Sequence, residues 1–347
     1  MGTEKSEKKQ LRFLIARIDR IGDVVLSTPL PREIKRVYPE SFVAVLVRNY
    51  TKDIYLNNPF VDEIIIYNDS DKSIGSFVKQ TQYICSFKFT HAFMLLPDER
   101  LNYILFLAGI PYRVGVGHKI YQMLTFTKFV DRKKYNPLRH EADYALDMIR
   151  KVGIEPRSIE PEIYLADSER EEAEKFRREM SDGNKIIIGV NTTSGNSAPN
   201  LSTSEYKRLI QMLSEDNSMR VIVTDKQPPK EISDIPGVDY SFINNSLRES
   251  IIKFSALDLL ISNSTGPMHI CAALKVPTFS LFCPLTACSP KLWGPLGNKS
   301  KIVLPKENYC KTQCPGDPKV CSYEGDSGIN AEELSEMIKS FLTNNQK

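Results

Sequence analysis

Short apolar segments and longer amphipathic segments alternate along this chain, and the pattern runs through both halves. A short apolar run is typical of a buried parallel strand, and the amphipathic stretch after it is typical of a covering helix. The alternation therefore predicts an α/β protein with two doubly wound parallel sheets. Strands are predicted at residues 11–18, 41–48, 63–67, 90–96, 112–116, 185–191, 219–225, 238–243, 258–263 and 276–282.

The alternation breaks once, at residues 157–168, where proline and charged residues interrupt it. We therefore predict a flexible N-terminus over residues 1–10, a Rossmann-like domain over residues 11–163 and a second one over residues 164–347. The second domain is expected to end in a helix with Asn330 as its cap. Helices are predicted at residues 24–39, 100–109, 168–182, 202–216, 247–256 and 330–342.

The composition excludes several classes of protein. With 347 residues, of which 41% are hydrophobic and 26% charged, the chain is long enough for two domain cores. No apolar run reaches the roughly 20 residues of a membrane helix, and no apolar signal-peptide core follows the charged start, so we expect a cytoplasmic protein. The strand-end loops lack both GxGxxG and the P-loop motif, which argues against a dinucleotide dehydrogenase and a P-loop NTPase.

The seven cysteines do not suggest a disulfide framework. Their number is odd and several lie in apolar segments, so reduced, buried thiols are expected. Three cysteines near the C-terminus leave a second interpretation open, a zinc or iron–sulfur site with a fourth ligand such as Cys288, although paired CxxC motifs are absent. The apolar-segment cysteines are Cys85, Cys271 and Cys283, and the three near the C-terminus are Cys310, Cys314 and Cys321.

The stretch "NSTGPMHICAAL", residues 263–274, joins a strand end, a small polar turn and a helix start. We expect the hydroxyl of Ser264 or Thr265 to cap this helix. Gly266 would let a ligand approach the backbone, and the free N–H groups of the first turn favour an anion. His269, one turn into the helix, is a candidate hydrogen-bond partner for that anion, although a buried histidine whose hydrogen bonds are satisfied within the core would give the same pattern.

Two other strand-end loops carry polar signals. In "RIGDVV", Gly22 allows a turn and Asp23 stands at a helix start, where it is either a helix cap or a general base. The loop "TTSGNSAPN", residues 192–200, is rich in hydroxyl groups and resembles a phosphate cradle. Because ligands of doubly wound sheets bind beyond the carboxyl ends of the strands, these loops are expected to line the site.

A basic and aromatic segment, residues 118–140, lies in the first half of the chain. It holds six Lys or Arg residues against one acidic residue, with Tyr121, Phe126, Phe129 and Tyr135 interleaved. This composition is typical of contact with anionic lipid headgroups, a phosphorylated glycolipid or nucleic acid. A solvated loop that packs its aromatic rings on the domain is the alternative.

Taken together, the motifs "RIGDVVLSTPL", "RVGVG", "NTTSGNSAPN" and "STGPMH" resemble glycosyltransferase family 9, the ADP-heptose:lipopolysaccharide heptosyltransferases and their relatives. The resemblance implies a GT-B fold, two Rossmann-like domains facing a cleft, with the acceptor on the first and the nucleotide sugar on the second. It also implies inverting transfer of a heptose or related sugar, with ADP-heptose as the expected donor, to a lipopolysaccharide core or other lipid-linked glycan. Neither a metal nor another cofactor is expected.

The resemblance further implies roles for individual residues. Asp23 is the expected general base. Gly22, Arg113 and His140 are expected on the acceptor side. The expected donor-binding residues are Ser194, Gly195, Ser197, Ala198, Lys226, Glu231, Ser264, Thr265, Gly266 and His269.

Two positions depart from the family pattern. Ser264 stands where family members commonly carry Asp, and Pro199 stands where a basic residue is often found. The departures leave open a catalytically silent sugar-nucleotide-binding protein, and the architecture leaves open an epimerase that acts without an acceptor. For the transferase, we expect a peripheral position on the inner face of the cytoplasmic membrane, contact with anionic lipid through residues 118–140, and no nucleic-acid partner.

Overall fold

The structure is a computed structural model that describes residues 10–183, 185–195 and 198–343. Its contacts divide the chain into two compact units, Met1–Ile159 and Glu160–Lys347. The predicted flexible N-terminus lies outside the described residues, apart from Gln10.

The first unit is built on a parallel sheet. Its strands are β1 (Arg12–Ala16), β2 (Phe42–Val47), β3 (Glu63–Ile66), β4 (His91–Met94), β5 (Tyr112–Val116) and β6 (Lys128–Val130). In the described residues they form one six-stranded sheet in the order β3-β2-β1-β4-β5-β6, with every neighbouring pair parallel. The five strands predicted for this half are confirmed, and β6 was not predicted.

The helices of the first unit connect these strands. They are α1 (Ile21–Val25), α2 (Pro29–Val37), α3 (Ile74–Ser86), α4 (Glu99–Leu107), α5 (Ile120–Leu124) and α6 (Glu141–Arg150). The single helix predicted over residues 24–39 is two helices, because Pro29 lacks an N–H group and so starts a new helix more readily than it continues one. A buried core forms where Leu14, Ala44 and Ala92 of the sheet meet Ile104 of α4.

The second unit contains another parallel sheet. Its strands are β7 (Ile186–Val190), β8 (Met219–Val223), β9 (Leu259–Asn263), β10 (Thr278–Leu281) and β11 (Ser300–Val303). Their order is β11-β10-β9-β7-β8. The strand predicted at residues 238–243 is wrong: the segment forms turns, in which the Asp239 carboxylate accepts the N–H of Ser241, and it keeps one isolated bridge to Ile222.

The helices of the second unit cover this sheet. They are α7 (Asp167–Ser181), α8 (Thr203–Ser214), α9 (Leu247–Phe254), α10 (Gly266–Ala273), α11 (Pro290–Trp293), α12 (Glu307–Thr312) and α13 (Ala331–Thr343). The predicted cap is confirmed, because Oδ1 of Asn330 accepts the N–H of Glu333 at 2.9 Å. Helix α13 packs on α8 through Leu334 and Leu209, which share one core with Ile188 of β7.

Each unit therefore has its own parallel sheet with covering helices, which confirms the predicted α/β class with two Rossmann-like domains. None of the helices in the described part of the chain combines the length and the apolar character that crossing a membrane requires.

Candidate active site

Asp23 lies where the chain leaves the carboxyl end of β1 and enters α1. The strand ends at Ala16, and Arg20 is the N-cap residue of the helix, without a side-chain cap hydrogen bond. Asp23 is the third residue of α1 and does not cap it, so the cap interpretation of the sequence is wrong. Gly22 lies inside the same helix rather than in the turn before it.

The carboxylate of Asp23 is partly open to solvent. Its side chain is 21% exposed, and Oδ1 accepts a hydrogen bond from Nη2 of Arg17 at 2.6 Å. Within the described residues, Arg17 is the side-chain partner of this carboxylate, and it leaves Oδ2 without a hydrogen bond. An exposed carboxylate oxygen at the carboxyl end of a parallel sheet can take a proton from a bound hydroxyl group.

A buried charge cluster surrounds Asp23. Arg17 is 2% exposed, and its guanidinium also contacts Asp19 at 3.0 Å and Glu141 at 3.2 Å. Burial acts against the charged form of Arg17, but the three carboxylates outweigh it and raise the pKa of Arg17. Burial also acts against the charged form of Asp19, and it raises the pKa of Asp19 to about 6. Arg17 opposes this rise, and the carboxylates of Asp23 and Glu141 add to it.

The structure gives Arg113 a role within its own unit. Arg113 is the second residue of β5, far from the carboxyl end of that strand, and it is 8% exposed. Its guanidinium donates to the carbonyl groups of Ile110 and Thr125 and lies over the ring of Phe106. Burial lowers the pKa of Arg113. Because the guanidinium is committed to backbone carbonyls, this geometry does not favour the predicted contact of Arg113 with the acceptor.

His140 is placed beside the charge cluster. It is the N-cap residue of α6, and its Nδ1 accepts the N–H of Ala142 at 3.2 Å. The next residue, Glu141, carries the carboxylate that contacts Arg17. The acceptor role of His140 stays a prediction, and its position next to Glu141 is compatible with it.

In the second unit, Asp225 joins the loops that follow β7 and β8. Its carboxylate accepts the N–H of Thr192 at 2.7 Å and the hydroxyl groups of Thr192 at 2.9 Å and Thr193 at 2.5 Å. The amide of Asn191 donates to the same carboxylate at 3.1 Å. Burial raises the pKa of Asp225, and the hydrogen bonds from Thr193 and Thr192 partly offset this effect. The carboxylate thus fixes the start of the hydroxyl-rich loop.

Thr265 connects this group to the loop that follows β9. Its hydroxyl donates to Oδ1 of Asn191 at 3.4 Å. Thr265 is the N-cap residue of α10 but makes no side-chain cap hydrogen bond, so the expected hydroxyl cap by Thr265 is wrong. Ser264, half-buried, precedes it, and Gly266 is the first residue of the helix. With no side-chain cap, the first turn of α10 can offer N–H groups to an anion. His269, 4% exposed, lies in the next turn.

The remaining predicted donor residues are placed as follows. The hydroxyl of Ser194 donates to the carbonyl of Ala198 at 2.9 Å, which closes the hydroxyl-rich loop on itself. Gly195 has a φ of +54°, a left-handed conformation that favours glycine, and open space surrounds its missing Cβ. Ser197 lies outside the described residues. Lys226 and Glu231 are exposed and stay predictions.

Sequence reasoning missed several residues of these two sites. The spacing in "RIDRIGD" contains a signal, since an arginine and two aspartates follow an apolar strand within seven residues. Asp225 had a weaker signal as an acid at the end of an apolar run. Glu141 had none, because it lies 124 residues away from its partner. The missed residues are Arg17, Asp19, Glu141, Asn191, Thr192, Thr193 and Asp225.

The cysteines are free thiols, as expected, but Cys85 is exposed rather than buried. In residues 10–183, 185–195 and 198–343, no three His, Cys, Asp or Glu side chains are grouped so that they could hold a metal ion. The metal-site interpretation of the C-terminal cysteines therefore has no support in the described residues.

Comparisons with known proteins agree with this architecture. Residues 100–320 match the sequence profile of glycosyltransferase family 9 (heptosyltransferase). The chain is 26% identical over 310 residues to a Haemophilus influenzae protein whose name goes no further than glycosyltransferase, covering 84% of this chain and 88% of the relative. It is 21% identical over 348 residues to lipopolysaccharide heptosyltransferase 2 of Escherichia coli, covering 96% and 99% of the two chains.

The solved structure of Escherichia coli ADP-heptose lipopolysaccharide heptosyltransferase II is similar as well. The TM-score is 0.74 at 18% identity, over 97% of this chain and 100% of that chain. At this identity the likeness shows a shared fold, which confirms the predicted GT-B fold class.

Proposed function

Because this chain belongs to glycosyltransferase family 9, the heptosyltransferase family, and is a glycosyltransferase, we propose that it transfers heptose from ADP-heptose to a lipopolysaccharide core or another lipid-linked glycan. The observation that carries the proposal is the partly exposed Asp23 carboxylate at the carboxyl end of β1. The names of the Escherichia coli relatives support the donor and acceptor classes.

In the proposed reaction, Asp23 takes the proton from an acceptor hydroxyl while that oxygen attacks the anomeric carbon of the heptose. The new carbon–oxygen bond forms as the bond to the diphosphate breaks, so the configuration inverts and the negative charge leaves with ADP. In this proposal the N-terminal turn of α10, which begins at Gly266 after the N-cap residue Thr265, stabilises that charge in place of a metal. His269 contributes from the next turn.

The first experiment is the Asp23→Asn substitution. Asp23 does not cap α1, so Asn removes the charge but leaves the helix start intact. We expect a folded protein with nearly unchanged ADP-heptose affinity and a turnover reduced by roughly 10²- to 10⁴-fold. Transfer is measured as ADP release with a core-saccharide acceptor, and donor affinity by calorimetry.

Asp69→Asn is the matched control, because Asp69 also pairs with an arginine, Arg48, but on the surface of the same unit. It should retain wild-type transfer. A rate within a few fold of wild type for Asp23→Asn would show that another group is the base.

The same assay separates the alternatives. A silent sugar-nucleotide-binding protein, motivated by Ser264 and Pro199, would bind donor and release no ADP when acceptor is added. An epimerase would convert the donor without acceptor. A thermal-shift panel of ADP-, GDP- and UDP-sugars identifies the nucleobase of the donor, because a ligand at a hundredfold excess over its Kd stabilises the native state by about 2.7 kcal/mol.

We also propose that the enzyme binds anionic membrane at the cytoplasmic face through its first unit. Helix α5 and the turn after it expose four apolar side chains, and Phe126 at 83% exposure does not pack on the domain as the solvated-loop alternative requires. Exposed lysines flank them. We name these residues the α5 surface: Lys119, Ile120, Met123, Leu124, Phe126 and Lys128.

Helix α5 is held on the unit by buried polar side chains, and Gln122 is one of them. Gln122 is 1% exposed; its carbonyl oxygen accepts the N–H of Lys119 at 2.9 Å, and its amide donates to the carbonyl of Val116 at 3.1 Å. Gly115 leaves room for this amide, since a Cβ there would lie 2.7 Å from Nε2 of Gln122. The apolar side chains of α5 are therefore left pointing away from the core.

Some basic side chains of segment 118–140 are paired with acidic side chains and are therefore not available to bind lipid headgroups. Arg132 binds both carboxylate oxygens of Glu141, at 2.7 and 2.9 Å. Arg139 is likewise paired with acidic side chains of α6. The exposed lysines, which include Lys133 and Lys134, are left for electrostatic attraction to anionic headgroups.

A further inference from the structure

We propose that Arg17 is a positioning residue for the transfer reaction, and that Glu141 is the buried counter-charge that holds Arg17 in place. The inference rests on the proposed function, in which Asp23 is the base. It starts from the Asp23 carboxylate, which within the described residues is paired with Arg17.

Arg17 is fixed on several sides. Its backbone N–H donates to the carbonyl of Leu46, next to it in β2, at 3.0 Å. Nη1 lies 3.3 Å from the carbonyl of Leu95, the residue after β4, and Nη2 lies 3.2 Å from Glu141. The side chain is 3% exposed, so water does not compete for these contacts. The guanidinium therefore holds Oδ1 of Asp23 in one place and leaves Oδ2 for the acceptor hydroxyl.

Glu141 is itself locked. It is the first residue of α6, where the helix dipole favours a negative charge, and its side chain is 2% exposed. Both its oxygens accept hydrogen bonds from Arg132 in the bidentate geometry that makes guanidinium–carboxylate pairs strong. Glu141 is thus occupied by two guanidinium groups and is unsuited to act as the base.

The charges around Asp23 make the pH profile of kcat a test of the proposal, because a purely structural role of Arg17 would not change that profile. Replacing Arg17 by a neutral side chain leaves three carboxylates with one arginine, which disfavours ionised Asp23. Neutralising Glu141 removes a like charge and has the opposite effect. An opposite charge within about 4–6 Å shifts a carboxyl titration by about 1–3 pH units. Asp19 also contacts Arg17, so the acid limb of the pH–rate profile reports the titration of the whole carboxylate cluster and not of Asp23 alone. The expected direction of each shift is unchanged.

The experiment compares kcat, the KM for ADP-heptose and the pH profile of kcat for Arg17→Gln, Arg17→Lys and Glu141→Gln. We expect Arg17→Gln to lower kcat at pH 7 by about 10- to 100-fold, to move the acid limb to higher pH by about 1–3 units and to leave the donor KM nearly unchanged. Arg17→Lys should restore part of the rate. Glu141→Gln should move the acid limb to lower pH.

Arg12→Gln is the matched control. Arg12 is a part-buried arginine at the opposite end of β1, where Nε donates to the carbonyl of Phe87. It should keep the wild-type profile. If Arg17→Gln does not fold, Glu141→Gln decides, because Arg17→Lys keeps the positive charge: a folded Glu141→Gln protein with the wild-type acid limb would overturn the inference.

The failure of this inference differs from failure of the proposed function. If Asp23→Asn is inactive while the Arg17 and Glu141 variants keep the wild-type kcat and acid limb, the positioning role is wrong and the base stands. If Asp23→Asn is active, the base assignment fails first, and the positioning role fails with it.

Discussion

The α5 surface should bind membrane mainly through insertion of its apolar side chains, and the double substitution Ile120→Ser with Phe126→Ser tests this. Burying one such side chain fully contributes about 1.5–3 kcal/mol. Ile120 is 77% exposed and Phe126 is 83% exposed, so each has most of this contribution still available. Together they should supply about 2.4–4.8 kcal/mol to membrane binding, which corresponds to at least about a 50-fold loss of vesicle affinity in the double variant.

The assay is sedimentation with vesicles that contain anionic lipid, at low and high salt. The apolar contribution should persist at high salt, whereas neutralising Lys133 and Lys134 should cost about 1 kcal/mol each at low salt only. Ile74→Ser is the matched control, since Ile74 is 83% exposed at the start of α3 in the same unit. It should bind vesicles like wild type. Equal sedimentation of the double variant and wild type would refute insertion by this surface.

Two further predictions concern the second unit. His269→Ala and Gly266→Val should each weaken ADP-heptose binding in a folded protein, the first by about 1.5–3 kcal/mol for a lost hydrogen bond to a charged group; calorimetry that finds unchanged affinity in both would place the donor elsewhere. The pKa of Asp225 is raised in the folded state, so protonation of this carboxyl stabilises the fold fully at pH values below the ordinary carboxyl pKa. The stabilisation is lost as the pH rises through the folded-state pKa of Asp225. Urea unfolding from pH 4 to 7 should therefore show wild type losing stability relative to Asp225→Asn as pH rises, and parallel curves would contradict it.

The strands could be predicted from sequence where their residues are apolar throughout. β2 reads FVAVLV and is buried over most of its length, so composition and structure agree. The segment 238–243 has similar residues but includes Asp239, whose carboxylate bonds to a nearby backbone N–H and favours a turn. β6 was missed because three residues at the edge of a sheet, in a basic run, carry no pattern of their own.

The candidate sites were predictable only in part. Asp23 lies in the first helix after β1 and Thr265 lies two residues after β9, and the rule that ligands bind beyond the carboxyl ends of parallel strands is enough to find them. The side chains that hold them are set by tertiary contacts. Glu141 meets Arg17 across 124 positions, and Arg113 fits a family motif while its guanidinium serves backbone carbonyls. The spacing of residues along the chain carries no information about such tertiary contacts.

The attachment of α5 through Gln122 has an evolutionary consequence. The fold depends on this buried amide and on the space at Gly115, whereas the outward side chains of the helix contribute little to folding. Mutations at Ile120, Met123 or Leu124 can therefore accumulate without passing through unstable intermediates. If the proposed membrane contact exists, a lineage that meets a different lipid composition can change its membrane preference through these three residues, while the sheet and the Asp23 carboxylate beyond the carboxyl end of β1 stay under separate selection.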